Sequence, residues 1–335
     1  MSCQKAADHT NTIPDVSSIP KYELSKDIIW ASPRGHDLKM DIYTPGSGKD
    51  IYPVLILFHG GWFLINSRNI MSDASSYIVS ASEYVVCNVD YRLLGDLNNT
   101  VTINEIIEDA MGAVLWIKEN INKYKGDPTK IAVSGDSAGG LLATMILTQG
   151  QNLKSGGFNG SSLSFKPSYL PKNKNAEDIA RDHGMEVQAA IINYGVFDLY
   201  DQVINGLETS NHGFWVLANV KPRGLFGPGI TVNDHPEWYK QVSPMHTVPN
   251  AGEKKLPPIL FTVGTKDLVT PPQSIETFFN KLLLHGHTNM VYWLYLGKGH
   301  AFLDGGSNPA AGHRFESDAP QALDYMIAYL NKLFR

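Results

Sequence analysis

IAVSGDSAGGLL, residues 131–142, runs from a β-branched apolar stretch into small residues around Ser137 and on into a helix-forming segment. Residues 131–134 read as a short buried strand, and the segment from 137 to 149 as an apolar helix. A serine hydroxyl is a poor nucleophile until a base removes its proton, and a sharp strand-to-helix turn presents it strained and exposed. Gly135 and Gly139 complete the pattern G-x-S-x-G, at the two flanking places where a larger side chain would block such a turn. The same letters also serve a purely structural turn. A nucleophilic Ser137 therefore needs a base, an acid and oxyanion donors elsewhere in the chain.

Around this stretch, strand patterns alternate with helical ones. Strands are expected at 28–30, 38–43, 54–58, 84–89, 131–134, 189–194, 259–263 and 290–295, the first two joined by the turn-rich SPRGHD. Helices are expected at 72–82, 103–120, 137–149, 272–285 and 320–333. The last begins on Pro320, a residue suited to a first helical position. Alternation of this kind predicts an α/β fold with an eight-stranded, mostly parallel sheet covered by helices on both faces. Ligands of such sheets sit at the carboxyl ends of the strands, where Ser137 falls.

Two segments interrupt the alternation. Residues 151–184 are rich in Gly, Ser, Lys and Asn and read as a long polar surface insertion. Residues 200–250 carry Phe214, Trp215, Leu217, Leu225, Phe226, Trp238 and Tyr239 among Gly and Pro, which is too apolar for a solvated loop. They read as a cap closing over the site, or else as core aromatics anchoring a long loop. The domain at 26–335 is thus preceded by an N-terminal segment, 1–25, that is either disordered or part of the cap. No internal repeat is visible.

Composition narrows the function. The 335 residues suit one large domain with insertions. A net charge of -5 with mixed signs leaves no basic stripe, so nucleic acid is not an expected partner. The longest apolar runs, such as 54–58 and 259–263, are strand-length and too short for a transmembrane segment. Of the two cysteines, Cys87 lies in an apolar strand pattern and reads as a buried thiol. Cys3, in MSCQKAADHTNT, fits the trimmed end of a bacterial lipoprotein, with a lipid anchor in the bacterial envelope. A polar terminus with an incidental cysteine, on a cytoplasmic protein, explains the same letters.

The strand at 54–58 runs into His59-Gly60-Gly61-Trp62-Phe63. Glycines there let backbone N–H groups approach a developing oxyanion, and the N–H of Ala138 would add a donor. His59 itself reads as a residue holding that loop. For the base, His300 in LGKGHAFLD follows a strand on a glycine-flanked loop, while His285 and His287 end a helix and suit its dipole. For the acid, Asp267 in ILFTVGTKDLVTPP follows a strand directly, and Asp198 in NYGVFDLYD is its rival one strand earlier. The acid would fix the imidazole tautomer without taking the proton itself.

In GDSAGG, together with VDYRL at 89–93, GDPTKIAVSGDSAGG at 126–140, SPM at 243–245 and LPPILFTVGTKD at 256–267, the chain resembles the hormone-sensitive-lipase-like (bacterial family IV) esterases of the α/β-hydrolase superfamily. The resemblance runs from about residue 25 to the C-terminus, leaving out 151–184. It implies Ser137 as nucleophile, Asp267 as acid, His300 as base, and Gly60, Gly61 and Ala138 as oxyanion donors, with no metal or cofactor. Two positions depart from the family pattern. Trp62 stands where a third glycine is common, and Leu94-Gly95-Asp96 stands where Ala-Pro-Glu is common. An indole beside the oxyanion loop would fill part of the acyl pocket, and Trp62, Phe63, Phe214 and Trp215 are the expected pocket residues.

The expected activity is hydrolysis of short-chain or aromatic acyl esters by a serine carboxylesterase through an acyl-enzyme. The small ester is the expected partner, and a homo-oligomer stays open. Three other readings stand behind it. They are a carbohydrate esterase acting on acetyl-xylan or feruloyl groups, a formamidase or other amidase, and a non-catalytic binding protein of the same fold.

Overall fold

Five buried apolar strands form the centre of the sheet, and their sequences leave them no solvent face. In the computed structural model, which describes residues 22–160, 162–308 and 313–334, the strands are β1 (Tyr22–Ala31), β2 (Leu38–Pro45), β3 (Tyr52–Phe58), β4 (Val85–Val89), β5 (Gly126–Asp136), β6 (Ala189–Asn193), β7 (Ile259–Gly264) and β8 (Met290–Tyr295). They lie in the order β1-β2-β4-β3-β5-β6-β7-β8. The β1–β2 and β2–β4 pairs are antiparallel and the rest parallel. Every residue of β4, β6 and β7 is buried, as strands covered on both faces must be. Helix Ser72–Ala81 packs on Phe315–Leu333, and Ile103–Asn120 packs on Ala138–Gln149.

The eight strands arise where the sequence places them, but β1 and β5 begin early, β5 at Gly126 and not at Ile131. Strand β1 begins at Tyr22, so residues 22–25 belong to the sheet and not to the cap. Its exposed edge carries no apolar alternation, and register shifts, with Asp27 at a φ of 56°, interrupt the pairing. Residues 1–21, with Cys3, lie outside the described residues. The C-terminal helix begins at Phe315, leaving Pro320 inside it. Asp318 sets that earlier start: its Oδ2 accepts the Arg314 N–H at 2.9 Å, and acidic residues in a first turn suit the helix dipole.

The insertion at 151–184 is pinned by a few apolar residues that its polar composition conceals. Leu153 bridges to Phe165, and Leu163, Phe165 and Ile179 are buried. Phe158 stands edge-on to Trp238, with ring centroids 4.6 Å apart, and so ties the insertion to the 200–250 segment. That segment is in turn held by Arg223, which donates to the carbonyls of Leu94, Asn99 and Val101. Among the described residues, no helix is long and apolar enough to cross a membrane.

Arg92, in the VDYRL stretch, is 2% exposed and grips the helix Ile103–Asn120 through Asp109 at 2.7 and 2.8 Å and Glu105 at 3.0 Å. Removing one partner from a buried pair strands the other charge, a loss of about 3–5 kcal/mol. Arg92→Ala is therefore expected to lower the urea midpoint by that amount of stability with an unchanged slope. A loss below about 1 kcal/mol would show that this clamp carries little of the fold.

Candidate active site

Strand β5 ends in a turn so tight that its glycines touch neighbouring backbone. A Cβ on Gly135 would stand 2.1 Å from the Gly139 carbonyl oxygen, and one on Gly139 would stand 2.0 Å from that of Phe58. Ser137, between them, has φ 52° and ψ -115°, a conformation a side-chain-bearing residue adopts only under constraint. Its N–H is tied to the Asn193 carbonyl, and its own carbonyl accepts from Gly140 and Val196. Ala138 opens the helix Ala138–Gln149, so its N–H has no carbonyl one turn back to pair with.

The loops after β7 and β8 bring the two other predicted residues to Ser137. His300 Nε2 lies 3.0 Å from Ser137 Oγ, and His300 Nδ1 lies 2.8 Å from Asp267 Oδ2. The Asp267 side chain is fully buried, and its Oδ1 accepts the N–H groups of Val269 and Thr270 at 2.9 Å each. The Thr270 hydroxyl donates to the Tyr194 carbonyl and sits within 3.2 Å of Asp267 Oδ2 and His300 Nδ1. The ring of Tyr194 meets the imidazole edge-on at 4.8 Å. Asp198, the rival acid, is turned elsewhere: it caps the helix Leu199–Ile204 and faces His246 Nε2 at 3.1 Å.

The loop after β3 runs directly past the serine. A Cβ on Gly60 would lie 3.1 Å from that of Ser137, and Gly61, at φ 120°, turns back so closely on Ile65 that no side chain fits. His59 holds this loop: its Nδ1 meets the Gly60 carbonyl at 2.7 Å, and its ring stacks on Tyr91 at 4.3 Å. Burial pushes its imidazole down, so it stays neutral.

A cavity of about 480 Å³ opens over these groups. Trp62 and Phe214 line it, and so does Leu217, while Phe63 and Trp215 do not. Trp62 and Phe63 both have left-handed backbones, with φ of 54° and 63°, and this reversal sends the Phe63 ring into the core. Trp215 is 1% exposed because its indole N–H is drawn inward to the Leu207 carbonyl at 2.6 Å. Trp62 thus holds a left-handed backbone at a cost of about 1–2 kcal/mol. Its indole packs on His212 and Phe214 at 5.6 and 6.2 Å. A second cavity of about 450 Å³, lined by Met185, Gln188, Lys254 and Pro258, lies at the opposite ends of the strands, away from Ser137.

Sequence reasoning missed Thr270 and Tyr194, and it missed Asp136, Asp304 and His313, which share the cavity with Ser137. Asp136 stood in plain view beside the serine, and Asp304 four residues after His300. Nothing local marks either as facing the pocket.

Sheet order, elbow and loop positions together define the α/β-hydrolase fold. Apo esterase 2 of Thermogutta terrifontis superposes with a TM-score of 0.65 over 94% of this chain and 96% of that one, at 21% identity. The propionate-bound form gives 0.62 over 96% and 97%, at 20% identity. Residues 40–282 match BD-FAE, and the chain belongs to that family. It is similar to esterase LipC of Mycobacterium tuberculosis, with 27% identity over 78% of this chain and 56% of that protein. Carboxylesterase NlhH of the same organism is 26% identical over 52% of each. The chain thus spans about half the length of these curated relatives.

The geometry predicts a serine that reacts covalently. An alkyl fluorophosphonate is expected to add one equivalent to Ser137, and His300→Ala should slow that addition by roughly two orders of magnitude or more. Equal labelling rates in the variant would show that the imidazole does not activate the hydroxyl.

Proposed function

We propose that this chain is a serine carboxylesterase that hydrolyses esters of short or aromatic acyl groups through an acyl-enzyme. The observation that carries the reading is the Ser137–His300–Asp267 relay, with contacts of 3.0 and 2.8 Å, at the carboxyl edge of the sheet. In this reading Ser137 Oγ attacks the acyl carbon while His300 Nε2 takes its proton. Negative charge then gathers on the carbonyl oxygen, where the backbone N–H groups of Gly60, Gly61 and Ala138 receive it. His300 returns the proton to the departing alcohol oxygen. Water, deprotonated by the same imidazole, then releases the acid. Asp267, itself fixed by two backbone N–H groups, keeps the proton on Nδ1 and stabilises the imidazolium without being protonated.

The size and lining of the cavity support small substrates. Trp62, Phe214 and Leu217 offer an apolar surface suited to a short alkyl or flat aromatic group. The named activities of LipC and NlhH agree in class.

Ser137→Ala is expected to remove p-nitrophenyl butyrate hydrolysis by several orders of magnitude with an unchanged melting temperature. Asp267→Asn should cost on the order of 10⁴-fold, whereas Asp198→Asn should stay within a few fold of wild type. Retained turnover in Ser137→Ala removes the reading, and the reverse ranking of the two aspartates moves the acid one strand earlier. Trp62→Gly, which the left-handed backbone accepts, is expected to shift preference along a p-nitrophenyl ester series toward longer acyl chains. An unchanged profile would place the indole outside the acyl path.

A further inference from the structure

Asp136 and Asp304 are left over from the hydrolytic scheme, yet both line the cavity that holds Ser137 and His300. Asp136 is 1% exposed, and its Oδ1 has no hydrogen-bond partner among the described residues. Its Oδ2 lies 2.5 Å from where a Cβ on Gly60 would stand, so the carboxyl rests against the proposed oxyanion loop. No lysine or arginine pairs with either aspartate among the described residues.

The titratable groups around Asp136 supply no positive charge of their own. His59, on the loop side, is held neutral by burial. Tyr91 and Tyr194 are buried phenols whose ionisation burial pushes up, so they stay neutral. Asp304, from the loop after His300, lines the same cavity. Its carbonyl meets His313 Nε2 at 2.7 Å, while His313 Nδ1 faces Asp318 at 3.2 Å. Two carboxyls lining one cavity, with no lysine or arginine paired to either among the described residues, do not both ionise freely. Burial pushes the Asp304 carboxyl up to about 6, against the pull of His313 and His300. Burial and then Asp304 push Asp136 well above the carboxylate range, and hydrogen bonding from Gly60 and its own backbone does not offset this.

We propose that Asp136 works as an uncharged carboxylic acid in the wall of the oxyanion pocket. Asp136 is then a positioning residue acting through Gly60. As a neutral acid it holds the loop amides less tightly than a carboxylate would, leaving them to turn to the oxyanion. As a carboxylate it would compete for those amides and oppose the charge that forms there. This rests on the esterase reading above and adds to it an alkaline limit set by Asp136.

Two isosteric substitutions and two readouts test the proposal. Asp136→Asn is uncharged at every pH, so it should retain turnover of p-nitrophenyl butyrate and carry the alkaline limb of kcat/KM upward by about one pH unit or more. Asp304→Asn removes the neighbouring charge that keeps Asp136 protonated, so the limb should move downward. Independently of turnover, the infrared spectrum of the wild-type protein at pH 8 minus that of Asp136→Asn should carry a protonated-carboxyl band. Limbs that coincide with wild type in both variants would overturn the proposal. So would a loss beyond a hundredfold at all pH in a well-folded Asp136→Asn, or a difference spectrum without that band. A wild-type protein inert toward esters would instead remove the esterase reading, with the infrared band still deciding where the proton resides.

Discussion

Everything in the site depends on one close backbone contact, the meeting of Gly139 with the end of β3. Because Gly139 lies where a Cβ would strike the Phe58 carbonyl at 2.0 Å, the turn after β5 and the loop after β3 are locked together. The lock sets Ser137 into its strained conformation and presents it upward. It also brings Gly60 and Gly61 alongside, so the proposed nucleophile and its oxyanion donors share one rigid unit. A larger residue at 139 would separate two strands in the middle of a sheet packed from both faces.

The imidazole and its acid reach this unit from the far half of the sheet. Strands β6, β7 and β8 lie beside β5 in parallel register, so the loops leaving β7 and β8 open at the same edge as the elbow. Thr270 and Tyr194 then hold Asp267 and His300 in place through a hydroxyl and a ring face. The aromatic residues above are a separate layer. The insertion and the 200–250 segment meet through Phe158 and Trp238, and Arg223 fastens the segment to the loop after β4. Substrate choice can therefore vary in that layer without disturbing the relay beneath it.

The parts of this arrangement that could be read from the letters are those governed by short-range rules. Strands β3 to β7 announce themselves because burial on both faces demands runs such as VLILF and AAIIN. The elbow is legible because its glycines are sterically required, and His300 and Asp267 because each follows a strand closely. Legibility fails where long-range contact decides. The start of β1 is set by pairing with β2 across an irregular register. Phe63 looks like Trp62 in sequence, but consecutive left-handed residues turn one ring into the cavity and the other into the core. Asp136 and Asp304 lie 168 positions apart in the numbering, and only the folded chain sets them in one cavity.

The central claim is that Ser137 carries the acyl group during turnover. The most direct measurement is intact-protein and peptide mass spectrometry after rapid mixing with p-nitrophenyl butyrate and an acid quench. The account predicts a single butyryl adduct on the peptide containing Ser137, formed together with a burst of one p-nitrophenol per chain. Steady release of p-nitrophenol with no adduct, or an adduct on any other residue, would contradict it.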